Sequence, residues 1–274
     1  MSRFRDLLIH NASGENCLTF DIIAEAGQTF SWQPFGYYGK EYAAIADIGN
    51  GKRSLANNEI ISRTYEVAGR YVFRIHECFC NYAYWRGDVN LVSSNEKWQY
   101  LGTNYKQFYS AFKGMRNSTL AFKTLPNGLT SYSAAFAYCT DATLPLTTLP
   151  DCPNYYEAFR DVKNFSGNLF NIPDSITDCR SMFSDTTGPG RVVLTKLPPY
   201  ATSLSVFATN SDVVYANLTE LAANAPEGGY QALTSLYYAF NGNKNITGSR
   251  SAFLAACPNV TDTKNAFTNT NTTE

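Results

Sequence analysis

Two rhythms of apolar and polar positions divide the chain. Up to about residue 88 the apolar residues come in short runs, at 18–23, 29–32, 42–46 and 71–75. Tyr71, Phe73 and Ile75 alternate with Val72 and Arg74, the period of a half-buried strand. Glycine-bearing turns separate the runs at Ala26-Gly27, Gly36, Gly49-Asn50-Gly51 and Ala68-Gly69. This first region, 16–88, reads as a small β-sandwich.

From about residue 89 the rhythm is longer. Phe112, Phe136, Phe159, Phe183, Phe207, Phe240 and Phe267 follow one another at intervals of 24, 23, 24, 24, 33 and 27 residues. Each is preceded by an apolar and usually small residue: Ala111, Ala135, Ala158, Met182, Val206, Ala239 or Ala266. A second anchor runs in phase with them. Leu125-Pro126, Leu149-Pro150, Ile172-Pro173 and Leu197-Pro198 follow the preceding Phe, and Ala225-Pro226 and Cys257-Pro258 occupy the two longer units.

One unit therefore predicts a short strand before each Pro: 120–122, 144–146, 169–170 and 192–194. Proline, which has no N–H for the ladder, ends it. Polar residues then make a turn, as in PNGLT and PDSIT. A short helical or 3₁₀ turn carrying Ala-Phe points the Phe inward. A unit of this length cannot bury its own apolar face and must stack on its neighbours. The expected fold is mainly β: a small N-terminal sandwich, then a leucine-rich-repeat-like solenoid over 89–274 with one short parallel strand and one short helical turn per coil.

Ile172-Pro173-Asp174-Ser175-Ile176-Thr177, followed by Cys179-Arg180-Ser181-Met182-Phe183, resembles the BspA-like, Treponema-type leucine-rich repeat, and LPNGLTSYSAAFAYC (125–139) is similar to it through Cys139. The likeness covers about 89–267, and only Cys139 keeps that family's Cys after the Phe. Asp47-Ile48-Gly49-Asn50-Gly51 with Thr64-Tyr65 and Gly69-Arg70-Tyr71 resembles a PKD-like domain, with Ile48 and Asn50 replacing its usual Trp and Asp. These resemblances imply an adhesion or recognition role. The family's Tyr-x-x-x-Gly-x-Tyr segment would be a hairpin.

Composition narrows the function. Lys and Arg number 22 against 23 Asp and Glu, which gives no nucleic-acid footprint. Only 16% of residues are charged and 15% are aromatic, so Asn, Thr, Ser and Tyr must supply the polar surface. No stretch approaches the ~20 apolar residues of a membrane span. The seven cysteines follow no scaffold spacing and read as reduced, small apolar residues.

Candidate chemistry is sparse. Two histidines and no nucleophile, phosphate-loop or metalloprotease motif argue for a non-catalytic protein without cofactors. His76, Cys78 and Cys80 would share one face of a single strand, where a zinc ion is the sharper reading and buried thiols the favoured one. Tyr84, Trp85, Trp98, Tyr100 and Tyr105, with Tyr82 and Tyr109, crowd the junction of the two regions. They would either seal the first coil or bind a sugar or protein partner.

The chain shows no secretory leader, so the first expectation is a phage protein folded in the host cytoplasm and displayed on the virion as a tail fibre, receptor-binding or capsid-decoration component. Its solenoid would bind a host surface protein or glycan. Residues 1–15, with Arg3 and Arg5, would form an arm docking other virion or surface proteins, and a homo-oligomer contact would cover the last coil. The alternative is a bacterial cell-surface adhesin; a glycan-active enzyme ranks below both.

Overall fold

The computed structural model describes residues 16–37 and 42–274. The arm at 1–15 lies outside the described residues. The protein is mainly β, with two antiparallel sheets followed by a parallel one.

The first sheet has the order β4-β3-β6-β1-β8, built from β1 (Leu18–Ala24), β3 (Ala44–Asp47), β4 (Arg53–Leu55), β6 (Gly69–Cys78) and β8 (Asn90–Ser94). The second has the order β5-β2-β7, from β2 (Thr29–Tyr37), β5 (Ile61–Thr64) and β7 (Cys80–Gly87). Aromatic rings join the two sheets: Phe30 and Trp32 meet Phe73 at 5.2 and 5.5 Å, and Trp85 meets Phe20 at 5.6 Å. The segment from Tyr65 to Tyr71 is not a hairpin, because β5 and β6 lie in different sheets. It is a corner, held by the Tyr65 ring on the Tyr71 ring at 4.2 Å and by the Tyr71 hydroxyl donating to the Val67 carbonyl.

The boundary drawn at residue 88/89 falls inside a tight connection. β7 and β8 are the last strands of the two facing sheets and are joined only by Asp88 and Val89. Gly87, at φ 148°, makes that reversal, and a Cβ there would sit 2.3 Å from the Thr29 carbonyl oxygen. The free edges of this arch start the repeats. On β7, the Trp85 N–H donates to the Ala111 carbonyl and the Asn81 carbonyl accepts from the Lys106 N–H. On β8, the Leu91 and Val92 carbonyls accept from the Leu120 and Ala121 N–H groups.

On the β8 side the chain continues into a parallel sheet of β9 (Asn168–Phe170), β10 (Arg191–Leu194), β11 (Val214–Asn217), β12 (Ile246–Ser249) and β13 (Asn271–Thr273), each paired with the next in sequence. The strands expected at 169–170 and 192–194 are present. Those expected at 120–122 and 144–146 are not. Leu120 and Leu144 take left-handed φ of 44° and 42°, and their carbonyls accept from Phe122 and Leu146 two residues on, which kinks the chain out of extended geometry.

The Ala-Phe segment is not a helical turn either. Every second N–H donates across to the next unit and the N–H groups between them donate to the carbonyl three residues back, so consecutive i to i−3 or i−4 bonds do not form. The residues two before and two after each central position are left-handed: Ala134 and Tyr138, Glu157 and Asp161, Ser181 and Asp185. The central N–H groups of Phe112, Phe136 and Phe159 donate to Ala135, Ala158 and Met182 in the following unit. In the fifth unit the left-handed pair is Val206 and Asn210, and the acceptor of the Phe183 N–H is the Phe207 carbonyl. The central position there is Ala208, so Phe207 stands one place early, where the other units carry Ala or Met.

A third row keeps the units in step. The N–H groups of Thr130, Thr177, Thr202, Thr234 and Thr261 each donate to the matching residue of the unit before. The hydroxyls of the first four donate to the same carbonyls. The two longer units use their extra residues for α1 (Leu218–Ala223) and α2 (Arg250–Ala255), which pack on each other. Asn217 and Ser249 cap them, the Asn217 Oδ1 accepting from Thr219 at 3.0 Å and the Ser249 Oγ from Ala252 at 3.2 Å.

Candidate functional site

The anchor residues of the repeats are all buried, from Phe112 to Phe267. They form a stack that Trp85 begins: its ring lies on Phe112 at 4.6 Å, and Phe112–Phe136, Phe136–Phe159 and Phe159–Phe183 follow at 5.5, 5.7 and 5.3 Å, all within 10° of parallel after the first pair. These residues build the scaffold and are closed to a ligand.

The junction aromatics separate into two groups. Trp85 and Tyr105 are buried, and Tyr105 sits edge-on to Phe108 at 6.0 Å. Burial, beside the Cys80 and Cys78 thiols, pushes the Tyr105 phenol well above its ordinary range. Trp98 lies in a 3₁₀ turn (Trp98–Leu101), presents its ring to Phe20, Phe108 and Phe122, and donates from Nε1 to the Thr124 hydroxyl at 3.2 Å. Tyr100 is half-buried, with its hydroxyl 3.5 Å from the Asn16 Oδ1. These four seal the joint between sandwich and repeats.

Tyr84 belongs to the second group, on the outside. Along β7, Ala83 and Trp85 point into the core, so Tyr82, Tyr84 and Arg86 point out. Along β2, Phe30, Trp32 and Pro34 are buried, which turns Ser31, Gln33 and Phe35 outward. The antiparallel register sets Phe35 opposite Tyr82 and Gln33 opposite Tyr84. Phe35 and Tyr82 stack at 5.1 Å with planes 5° apart, and Tyr84 leans on both at 4.8 and 5.6 Å. Tyr109, from the first repeat unit and 44% exposed, meets Tyr82 edge-on at 6.4 Å.

Arg86 fixes this group from one side. Its guanidinium lies 4.5 Å from the Tyr84 ring centre, and Nη1 donates to the Trp85, Ser110 and Ala111 carbonyls at 2.8, 3.2 and 3.3 Å. Burial lowers its pKa from the ordinary guanidinium value. The Tyr84 phenol is pushed up, by burial first and then by the neighbouring Tyr82 and Tyr109 phenols. Phe35 carries no repeat signal. Only the alternation Ser31, Gln33, Phe35 against Phe30, Trp32, Pro34 could have revealed it.

A second exposed face is the outer side of the parallel sheet. Phe170 is 71% exposed there, and a shallow groove of about 350 Å³ runs past Arg191, Val193, Tyr215, Asn217, Glu220 and Lys244. The Arg191 guanidinium covers the Tyr215 ring at 4.1 Å.

His76, Cys78 and Cys80 do not share a strand face. Ile45 pairs with Glu77 and Ala46 with Ile75, so His76 is an extra residue at a bulge and the alternation slips by one. Cys78 ends β6 and Cys80 begins β7, both buried, with the Cys80 thiol pushed well above its usual pKa by burial and by Cys78 beside it. Among the described residues no three His, Cys, Asp or Glu side chains converge as a metal site, and no helix is long and apolar enough to cross a membrane. No family model, no curated protein and no solved structure matches this chain.

Proposed function

We propose that this chain is a non-catalytic recognition and structural protein displayed on a particle surface, its units forming a leucine-rich-repeat-like solenoid behind a PKD-like sandwich. The observation that carries the reading is the outward aromatic group of Phe35, Tyr82 and Tyr84 on strands and Tyr109 on the first repeat unit, continuous with the hydrogen-bonded stack of repeats. Rigid strands present a binding face without ordering cost on contact. The low charge and abundant hydroxyl and amide side chains favour contact with a host surface protein or glycan over nucleic acid. The most concrete form is a phage tail-fibre, receptor-binding or capsid-decoration protein that docks its neighbours through residues 1–15 and acts as a homo-oligomer.

Immunogold electron microscopy with antibodies raised against the purified protein tests this. Gold on assembled particles is the expected result, and gold confined to the cell interior overturns it. Gold on the cell envelope instead selects the adhesin reading, which the likeness of residues 125–139 to BspA-like repeats favours.

A further inference from the structure

We propose that Phe35, Tyr82, Tyr84 and Tyr109 form a binding platform for an uncharged oligosaccharide. This rests on the recognition reading above and names the ligand class of that face. Three features select the chemistry.

The first is shape and stiffness. Phe35, Tyr82 and Tyr84 come from two paired strands, and Tyr109 from a turn of the first repeat unit whose flanking Phe108 and Ser110 N–H groups donate to the Ser131 and Ser133 carbonyls. Phe35 and Tyr82 are directly opposed cross-strand partners, and Arg86 pins Tyr84 through three backbone carbonyls. Flat ring faces held at fixed angles suit the C–H face of a sugar ring, which is itself stiff.

The second is polarity. The Tyr84 and Tyr109 rings pack on Tyr82 at 5.6 and 6.4 Å, and each of the three phenols can donate to or accept from a sugar hydroxyl. Among the described residues, the charged side chain packed on this group is Arg86, which spends Nη1 on three carbonyls and its face on Tyr84. With that guanidinium turned onto Tyr84 and the backbone, ring faces and hydroxyls are what this group offers a ligand, which favours a neutral one over an acidic one.

The third is area. A stable protein partner needs about 800 Å² on each side. An aromatic side chain offers about 150–250 Å² in total, and much of each of these four is already covered by its neighbours. What remains accommodates one or two sugar rings and is too small for a protein footprint.

The test is titration of the intact protein with three uncharged series, cello-, malto- and chito-oligosaccharides, by calorimetry, after a screen on a glycan array. Wild type is expected to bind at least one neutral glycan, with affinity rising over the first two or three sugars and then levelling. Y84A and Y109A should each weaken that binding about tenfold or more. Y200A, at a ring 64% exposed on a distant turn, should leave it unchanged. Y84F and Y109F keep the stacking and remove only the hydroxyl, so they separate a lost contact from a misfolded chain and should weaken binding less than the alanines. Two results overturn the proposal: no neutral glycan bound by wild type, or one bound equally by Y84A and Y109A. Gold on particles together with either of these would sink the platform and leave the surface role standing.

Discussion

Phe183 and Phe207 meet edge to face, with ring planes 88° apart at 5.8 Å, whereas the three Phe pairs before them are nearly parallel. The cause is a one-residue offset. Phe207 occupies the place of the small residue, Ala208 occupies the place of the Phe, and the ring must reach the core from the neighbouring position. It then also meets Phe240 edge-on, at 82°.

The offset is testable by a double-mutant cycle. F207A should cost about 3–5 kcal/mol, because a fully buried ring is removed. A208F alone should cost about 1–3 kcal/mol, since it adds a ring where one is already packed. The exchange F207A/A208F should recover part of both losses, with a coupling above about 0.5 kcal/mol. Urea unfolding measures all four proteins, and additivity would show that the two positions do not share one space.

Val206 is the β-branched member of the left-handed set, at φ 58°. A branched Cβ is strained there, while Asn and Gly are tolerated. V206N should therefore raise stability by about 1 kcal/mol, read as a higher midpoint in thermal unfolding. The reverse change at its partner in the same unit, N210V at φ 52°, should lower it.

Gly167 and Gly190 lie in adjacent units, just before β9 and β10. A Cβ on Gly190 would stand 2.5 Å from the Gly167 carbonyl oxygen and 2.8 Å from its nitrogen. Both obstacles are backbone and cannot swing away. G190A should lower the melting temperature by several degrees and speed amide exchange in β9 and β10. An unchanged melt with unchanged exchange would mean the two chains can separate freely.

Burial raises the Cys139, Cys179 and Cys257 thiols from 9.0 to about 12. The folded state thus holds these protons more tightly than the unfolded state. Stability from this source is complete below about pH 9 and is lost as pH rises from there towards 12. Urea midpoints measured from pH 7 to 11 should fall in that upper window. A chromogenic thiol reagent at pH 8 should leave all seven buried cysteines untouched until denaturant is added.

Much of the scaffold is legible from the chain alone, because the Phe interval and the Leu-Pro anchor both arise from the stack's own repeat. Phe207 is where interval alone misleads: it keeps the 24-residue spacing but not the register. A different signal holds in five of the seven units, Phe207's included. Thr130, Thr177, Thr202, Thr234 and Thr261 each stand six residues before the central position, at 136, 183, 208, 240 and 267, because their N–H groups tie each unit to the one before. Trp85 escaped the repeat because it sits on a regular strand of the sandwich, where period two hides its place in the stack. The left-handed residues were invisible for another reason. Ser110, Ala134, Glu157 and Tyr238 are not types that favour positive φ, so it is the inter-unit hydrogen bonds that impose it. Of the outward platform, Tyr82 and Tyr84 are legible from alternation in β7, while Phe35 joins them only through sheet pairing.

The arch of β7 and β8 gives the repeats a direction of growth. Each unit finds donors and acceptors of the right spacing on the units before and after it, and the one such surface built outside the repeats is, among the described residues, the pair of free edges at Trp85 and Leu91. The sandwich thus plays the part of a seed crystal. It supplies a finished face on which the first unit can condense, and each added unit becomes the face for its successor. Nucleation, the slow step for a stack of non-local contacts, is then done once and at one end.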